Sequence, residues 1–214
     1  MDLTIKELTA LWDDIIKVID ENFENERHTQ LTKMYETFQE RIFFAPASTN
    51  KSFFGAYPGG YMQHVLKVVN ISGYMYKLWD KMGADMSTYT FEELMFCALN
   101  HDLGKLGDLQ NDLYIQNPSD WHVKNQGTLY IHNPAVKFMP LPDRALWLLQ
   151  EFNIKVSDNE YIAIKTYEGL LNDANDVYFK TYDVNKSLKS HLPILLHQAD
   201  YMAYRIAHET DVNN

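Results

Sequence analysis

The chain has 214 residues, 46% of them apolar, and its 29 acidic residues outnumber 19 basic ones for a formal net charge of −10. That length fits one domain with a sizeable core, and no apolar run approaches the ~18 residues that a membrane span needs. The acidic balance argues against non-specific nucleic-acid binding, which needs a basic surface. It leaves room for an anionic small substrate, because a metal and a few local cations make a positive pocket within an acidic molecule.

At the start, Met1-Asp2-Leu3-Thr4 lacks the basic-then-apolar layout of a signal peptide. Thr4-Ile5-Lys6-Glu7 is a capping-box pattern, and Leu8, Leu11, Trp12, Ile15, Ile16 and Ile19 follow at helical spacing. A second helix is predicted from about Thr29 to Phe43, with Leu31, Met34, Tyr35, Phe38 and Ile42 inward. Residues 1–44 thus read as a packing layer without chemistry. Residues 45–60 hold Pro46, Ser48, Asn50, Gly55, Pro58, Gly59 and Gly60 and read as a loop. The adjacent Phe53 and Phe54 are expected to fold back over the core.

A helix from Tyr61 to about Met82 is predicted to bury Val65, Leu66, Val68, Val69, Tyr76 and Leu78. Thr90-Phe91-Glu92-Glu93, another capping box, starts a helix through Leu94-Met95-Phe96-Cys97-Ala98-Leu99 to Asn100-His101-Asp102, after which Gly104 permits a tight exit. Cys97 is the only cysteine and reads as a buried thiol in a reducing cytoplasm. Residues 108–140 are irregular, with Pro118, Gly127, Pro134 and Pro140 among Tyr114, Trp121, Tyr130 and Phe138. Within them Leu113-Tyr114-Ile115 can pair with Thr128-Leu129-Tyr130-Ile131 as a short β-hairpin. A segment this long is commonly functional or disordered, and its aromatic content argues for a lid or pocket wall.

Pro142-Asp143-Arg144 opens a helix through Leu146, Trp147, Leu148 and Leu149. Ser157-Asp158-Asn159-Glu160, a third capping box, opens one through Ile162, Ile164 and Tyr167 to Gly169. A polar loop is expected to Ser190, then a final helix from Leu192-Pro193 to about His208, on which His197, Asp200, Tyr201 and Tyr204 share a face.

Three of these helices carry polar groups on strongly apolar faces: His64, His101 with Asp102, and Asp200. Such a group must find a partner or lose its charge. Two neutral imidazoles and two carboxylates can satisfy one another through a divalent ion, and Mn, Fe, Co, Ni, Zn and Mg all suit the set with different preferences. Taken singly, each is as well explained by chance and by a solvated side chain.

His64, His101-Asp102 and Asp200 resemble the H…HD…D ligand pattern of the HD-domain metal-dependent phosphohydrolases, over a stretch from about Lys51 to about Arg205. Tyr57-Pro58-Gly59-Gly60 looks like the entry to that superfamily's first ligand helix, and His101-Asp102-Leu103-Gly104-Lys105 is similar to its most characteristic string. Met139-Pro140-Leu141-Pro142-Asp143-Arg144 and His197-Gln198-Ala199-Asp200 resemble small HD proteins of bacteria and their phages, from which no activity carries over. The resemblance implies an all-α HD-domain helical bundle over residues 1–214, with the metal-site core in 45–210 and a lid-like insertion in 108–140. It implies a metal held by His64, His101, Asp102 and Asp200, with positions left for water and a phosphate oxygen. The implied activity is cleavage of a phosphate ester of a nucleotide or related small molecule, whether monoester, triphosphate or cyclic diester.

In that superfamily the lysine at the Lys105 position contacts phosphate; the other reading of Lys105 is a surface lysine paired with Asp108. Asp108 could itself orient the attacking water. Lys51 is a candidate phosphate contact or a solvated loop lysine, and Arg144 a bidentate phosphate clamp or a salt bridge pinning the Pro142 turn. Trp121, with Tyr130 and Phe138, could stack a nucleobase, although a small core under the lid is the plainer use. Tyr167 is grouped with the substrate contacts. His197 reads as a partner behind Asp200, His28 and His208 as surface residues, and His191 as a cap or solvent contact; His122 and His132 stay open.

Two other functions compete. A di-iron oxygenase on the HD fold needs extra histidines between His101-Asp102 and Asp200, and where related proteins carry one this chain has Tyr167-Glu168-Gly169. A non-catalytic nucleotide-binding module would tolerate lost ligands, yet all four positions are filled. The expectation is therefore one metal ion per chain, a transition ion, with a small phosphorylated partner, no membrane, and the oligomeric state open.

Overall fold

The structure is a computed structural model that describes residues 3–212, with side chains through Glu209. Met1 and Asp2, part of the N-terminal reading above, lie outside the described residues. Helix α1 (Ile5–Asn22) starts where the Thr4 hydroxyl accepts from the Glu7 amide at 3.3 Å and the Glu7 carboxylate accepts from the Thr4 amide at 2.8 Å. Its apolar stripe buries Leu8, Trp12, Ile15 and Ile19. The single second helix expected from Thr29 to Phe43 is two: α2 (Asn25–Thr37) and α3 (Gln39–Phe44) meet at Phe38. The inward residues are as predicted, and at the break Phe38 packs edge-on against Phe152 with ring centroids 5.5 Å apart. Arg27 of α2 reaches the fully buried Glu160 at 2.6 and 3.1 Å, which holds this layer to the rest.

The following loop splits the Phe53–Phe54 pair. Phe54 turns in against His64, but Phe53 stays 51% exposed, contrary to the expectation that both fold back. Helix α4 (Gly60–Lys81) begins after Gly59, whose φ of 84° few other residues adopt. Its last buried residue is Met75; Tyr76 and Trp79 still pack half-buried on the core, and Leu78 is exposed rather than buried. Helix α5 (Phe91–Asn100) has the predicted Thr90–Glu93 capping box and is buried from Leu94 to Asn100. A 3-10 turn over Leu103–Leu106 follows, and the left-handed residue of its exit is Gly107, with φ 99°, not Gly104. Gly104 is needed for space instead: a Cβ there would collide with the carbonyl oxygen of Leu141.

In the insertion, β1 (Tyr114–Gln116) and β2 (Tyr130–His132) form the expected antiparallel hairpin, with Ile115 opposite Ile131. Between them lies α6 (Asp120–Gln126), a short helix that was not expected. A bridge between Asn50 and Thr128 ties the insertion to the loop after α3. Trp121 is 58% and Phe138 91% exposed, so these two do not form a small aromatic core beneath the insertion. Helix α7 (Leu141–Glu151) carries Pro142 in its first turn, and its start packs on the 3-10 turn after α5. Helix α8 (Asp158–Thr166), capped by Ser157 and Glu160, ends before Tyr167 rather than at Gly169. The stretch expected as loop to Ser190 holds two 3-10 turns and α9 (Asp176–Phe179). Helix α10 (Leu192–Val212) lies along α4 and also packs on α8. The result is an all-α fold with one short hairpin, and no helix among the described residues is long and apolar enough to cross a membrane.

Gly104→Ala is expected to lower stability by about 1–3 kcal/mol, because backbone on both sides of the contact cannot yield as a side chain would. Denaturant unfolding reads this directly, and an unchanged midpoint would show that Gly104 is not what lets α7 approach.

Candidate metal centre

Helices α4, α5 and α10 deliver four polar side chains to one point. His64 Nε2 lies 2.9 Å from Asp200 Oδ1 and 3.4 Å from Asp102 Oδ2. His101 Nε2 lies 3.5 Å from Asp200 Oδ1 and 3.7 Å from Asp102 Oδ2. His64, His101 and Asp102 are buried, whereas the Asp200 side chain keeps 19% exposure, so the cluster opens on its α10 side. Two neighbours in sequence reach one point because the helix ends between them: His101 keeps helical angles, and Asp102, at φ −96° and ψ 7°, does not.

The tautomer of His101 follows from its neighbours. Its Nδ1 lies 2.9 Å from the Ala98 carbonyl oxygen, which can only accept, so Nδ1 carries the proton. In the neutral ring Nε2 then presents a lone pair toward two carboxylates, with no hydrogen-bond partner among the described residues. A buried lone pair facing two anions is unfavourable without a cation between them. A ring held by its outer N–H, with the inner nitrogen bare, is also the arrangement of a metal-bound histidine. His64 lacks the outer support: its Nδ1 is buried without a partner, and its ring packs on Phe54 at 4.6 Å.

Charge points the same way. Burial pushes Asp102 up, but the Lys105 ammonium, 2.6 Å from its Oδ2, and the two imidazoles outweigh this and hold it below the usual carboxylate range. Asp200 is likewise raised by burial and lowered, on balance, by the facing imidazoles. Burial keeps His64 below the ordinary imidazole value, only partly offset by Asp200. Burial lowers His101, but Asp102 and Asp200 outweigh it and raise it above the ordinary imidazole value, so two carboxylates facing one ammonium draw a further positive charge to this point, as a ring proton or a metal ion. His64, His101 and Asp102 offer ligand atoms within 4.8 Å of one another and can hold a metal ion.

Tyr167 sits behind this group. Its phenol donates to Asp102 Oδ1 at 2.9 Å, which leaves Oδ2 facing Lys105 and the imidazoles. Burial, followed by the nearby carboxylates, pushes the phenol well above its ordinary pKa, so it remains a donor. His197, expected behind Asp200, instead puts its Nδ1 2.9 Å from the Tyr167 carbonyl oxygen. His64, Asp102 and Asp200 form the floor of a cleft of about 580 Å³ lined also by Phe54, Lys105, Glu168, Asp173 and Tyr204, with His101 buried behind them.

Lys105 and Tyr167 therefore border the cleft, and four other expected site residues do not. Lys105 pairs with Asp102, not Asp108. The Asp108 carboxylate accepts from the Gln110 and Asn111 amides at 2.8 and 2.6 Å and caps a turn. Arg144 is buried and donates to the Lys137 carbonyl at 2.6 Å, so it is neither a clamp over the cleft nor an ion pair at the Pro142 turn. Lys51 is exposed, its amide on the Gly127 carbonyl at 2.9 Å and its stem against Gly127. Trp121 packs on His122, outside the cleft. Among the other histidines, His28 pairs with Asp20, His191 packs on Trp79, His132 on Tyr114 and His208 on Tyr204. Cleft residues that the sequence did not single out for a site role include Phe54, Leu171, Asn172 and Asp173. Phe54 was read only as core, and nothing marks Asp173 within a polar stretch. Comparison with protein-family models, with curated proteins and with solved structures gives no match.

Tyr167→Phe removes the donor to Asp102 Oδ1 with almost no change in shape. Metal affinity, measured by competition with a chromophoric chelator, is expected to fall about tenfold or more, as it does when outer partners of metal ligands are lost. Equal affinity in the variant would mean that Asp102 is positioned without the phenol.

Proposed function

We propose that the protein is a metal-dependent phosphohydrolase of the HD type, acting on a phosphate ester of a nucleotide or related small molecule. The observation that supports this most is the meeting of His64 and His101 with Asp102 and Asp200 at the edge of an open cleft, beside the Lys105 ammonium. A divalent ion held by His64, His101, Asp102 and Asp200 would supply Lewis acidity toward a phosphoryl oxygen and an acidified water.

The chain's own groups account for orientation and charge. The Ala98 carbonyl fixes the His101 ring, and the Tyr167 phenol fixes the Asp102 carboxylate. Burial would deprotonate Lys105 more easily, but Asp102 outweighs it and raises its pKa, so the ammonium persists at neutral pH. That ammonium is placed to donate a charge-assisted hydrogen bond to a phosphate oxygen in the cleft. Phe54 and Tyr204, edge-to-face at 5.3 Å, line the cleft beside Asp200.

The test is phosphate release from nucleotides, cyclic nucleotides and sugar phosphates by the manganese-loaded protein and its Lys105→Met variant. The variant should retain metal by elemental analysis and lose roughly ten- to a hundredfold in turnover, the worth of one charged hydrogen bond. Full turnover in the variant would remove Lys105 from the site, and no turnover of any ester by the wild type would overturn the reading itself.

A further inference from the structure

The cleft above the cluster is short of positive charge. Of the cations that the sequence offered for phosphate binding, only Lys105 lines it; Arg144 is turned to the Lys137 carbonyl, and Lys51 lies at the edge of the insertion. Against that one ammonium stand Asp102 and Asp200 on the floor and Glu168 and Asp173 on the wall. The whole chain, at −10, supplies no compensating field. Even with a divalent ion bound, charge is close to balance before any substrate enters. Each phosphate beyond the first brings at least one more negative charge against the half-buried Glu168 and the exposed Asp173, where solvent screens part of the repulsion.

The same wall suits another kind of group. Carboxylates only accept hydrogen bonds, so Glu168 and Asp173 are partners for hydroxyls. One Glu168 oxygen is held at 2.6 Å by the Asn172 amide, which fixes the carboxylate in place. Phe54 and Tyr204 offer ring faces and edges to the body of a substrate. Resting on the hydrolase reading, we infer that the site takes the monophosphate ester of a hydroxyl-rich body, a sugar or a nucleoside, and rejects the corresponding triphosphate. Glu168 and Asp173 set this choice by accepting from substrate hydroxyls and repelling additional phosphates. In the reaction, water oxygen bonds to phosphorus as the ester P–O bond breaks. The departing oxygen takes up a proton from that water, giving an alcohol and inorganic phosphate.

The experiment compares nucleoside 5′-monophosphates, the matching triphosphates and hexose monophosphates at fixed free manganese, with wild type, Glu168→Gln and Asp173→Asn. Wild type should favour monoester over matching triphosphate in kcat/KM by about tenfold, on the scale of one partly screened like-charge contact. Either neutral variant should narrow that ratio several-fold, mainly through a lower KM for the triphosphate. Triphosphate cleaved as well as monoester by the wild type would overturn the inference and leave the hydrolase reading standing. A preference unchanged in both variants would also overturn it, since the two carboxylates would not be its source. No cleavage of any ester would take the hydrolase reading down first, and the inference with it.

Discussion

Two carboxylates and two imidazoles brought together at the junction of three packed helices need a cation, and that requirement organises the rest of the structure. The groups cannot be hydrated well, because His64, His101 and Asp102 are buried. Lys105 meets part of the need from three residues along the chain, and Tyr167 meets a different part by donating to the remaining oxygen of Asp102. The Ala98 carbonyl then decides which face of His101 is left bare. Each of these contacts would make sense in a hydrogen-bonded core. Together they leave one nitrogen and one unit of negative charge at a single point to be met by a ring proton or a metal ion.

The scaffold explains how such a costly group is held. Helix α5 is buried along its last two turns and stops at His101, so the His-Asp pair emerges from the most apolar part of the chain. Close backbone approaches lock its surroundings. Gly104 allows the start of α7 to touch the turn carrying Lys105, and Gly60 lies so near Gly55 that a Cβ there would meet its carbonyl. Gly169 plays the same part for His197, whose ring occupies the space a Cβ would take and whose Nδ1 meets the Tyr167 carbonyl. The glycines near the site thus serve close packing as much as turning.

Much of this was legible in the sequence where the signal is local. The Thr4, Thr90 and Ser157 capping boxes mark helix starts because side chain and amide are only three residues apart. The hairpin in the insertion and the shared point of His64, His101, Asp102 and Asp200 were also readable, the latter from polar residues on apolar faces. The break at Phe38 was not, because its cause is packing against Phe152, more than a hundred residues away in the chain. Nor was the fate of the cations. Arg144 and Lys51 look alike in sequence to phosphate ligands, and only the position of the insertion shows that backbone carbonyls and Gly127 occupy them. Tyr167 stands out in sequence as a substrate contact and as the absence of a histidine; its phenol on Asp102 depends on α8 ending at Thr166, three residues before Gly169.

The central claim is that this cluster holds a divalent ion, and elemental analysis after reconstitution and desalting tests it most directly. The account predicts about one transition ion per chain in the wild type and essentially none in Asp102→Ala, with circular dichroism showing both proteins equally helical. Wild-type protein that retains no metal, or an Asp102→Ala variant that retains as much as the wild type, would contradict it.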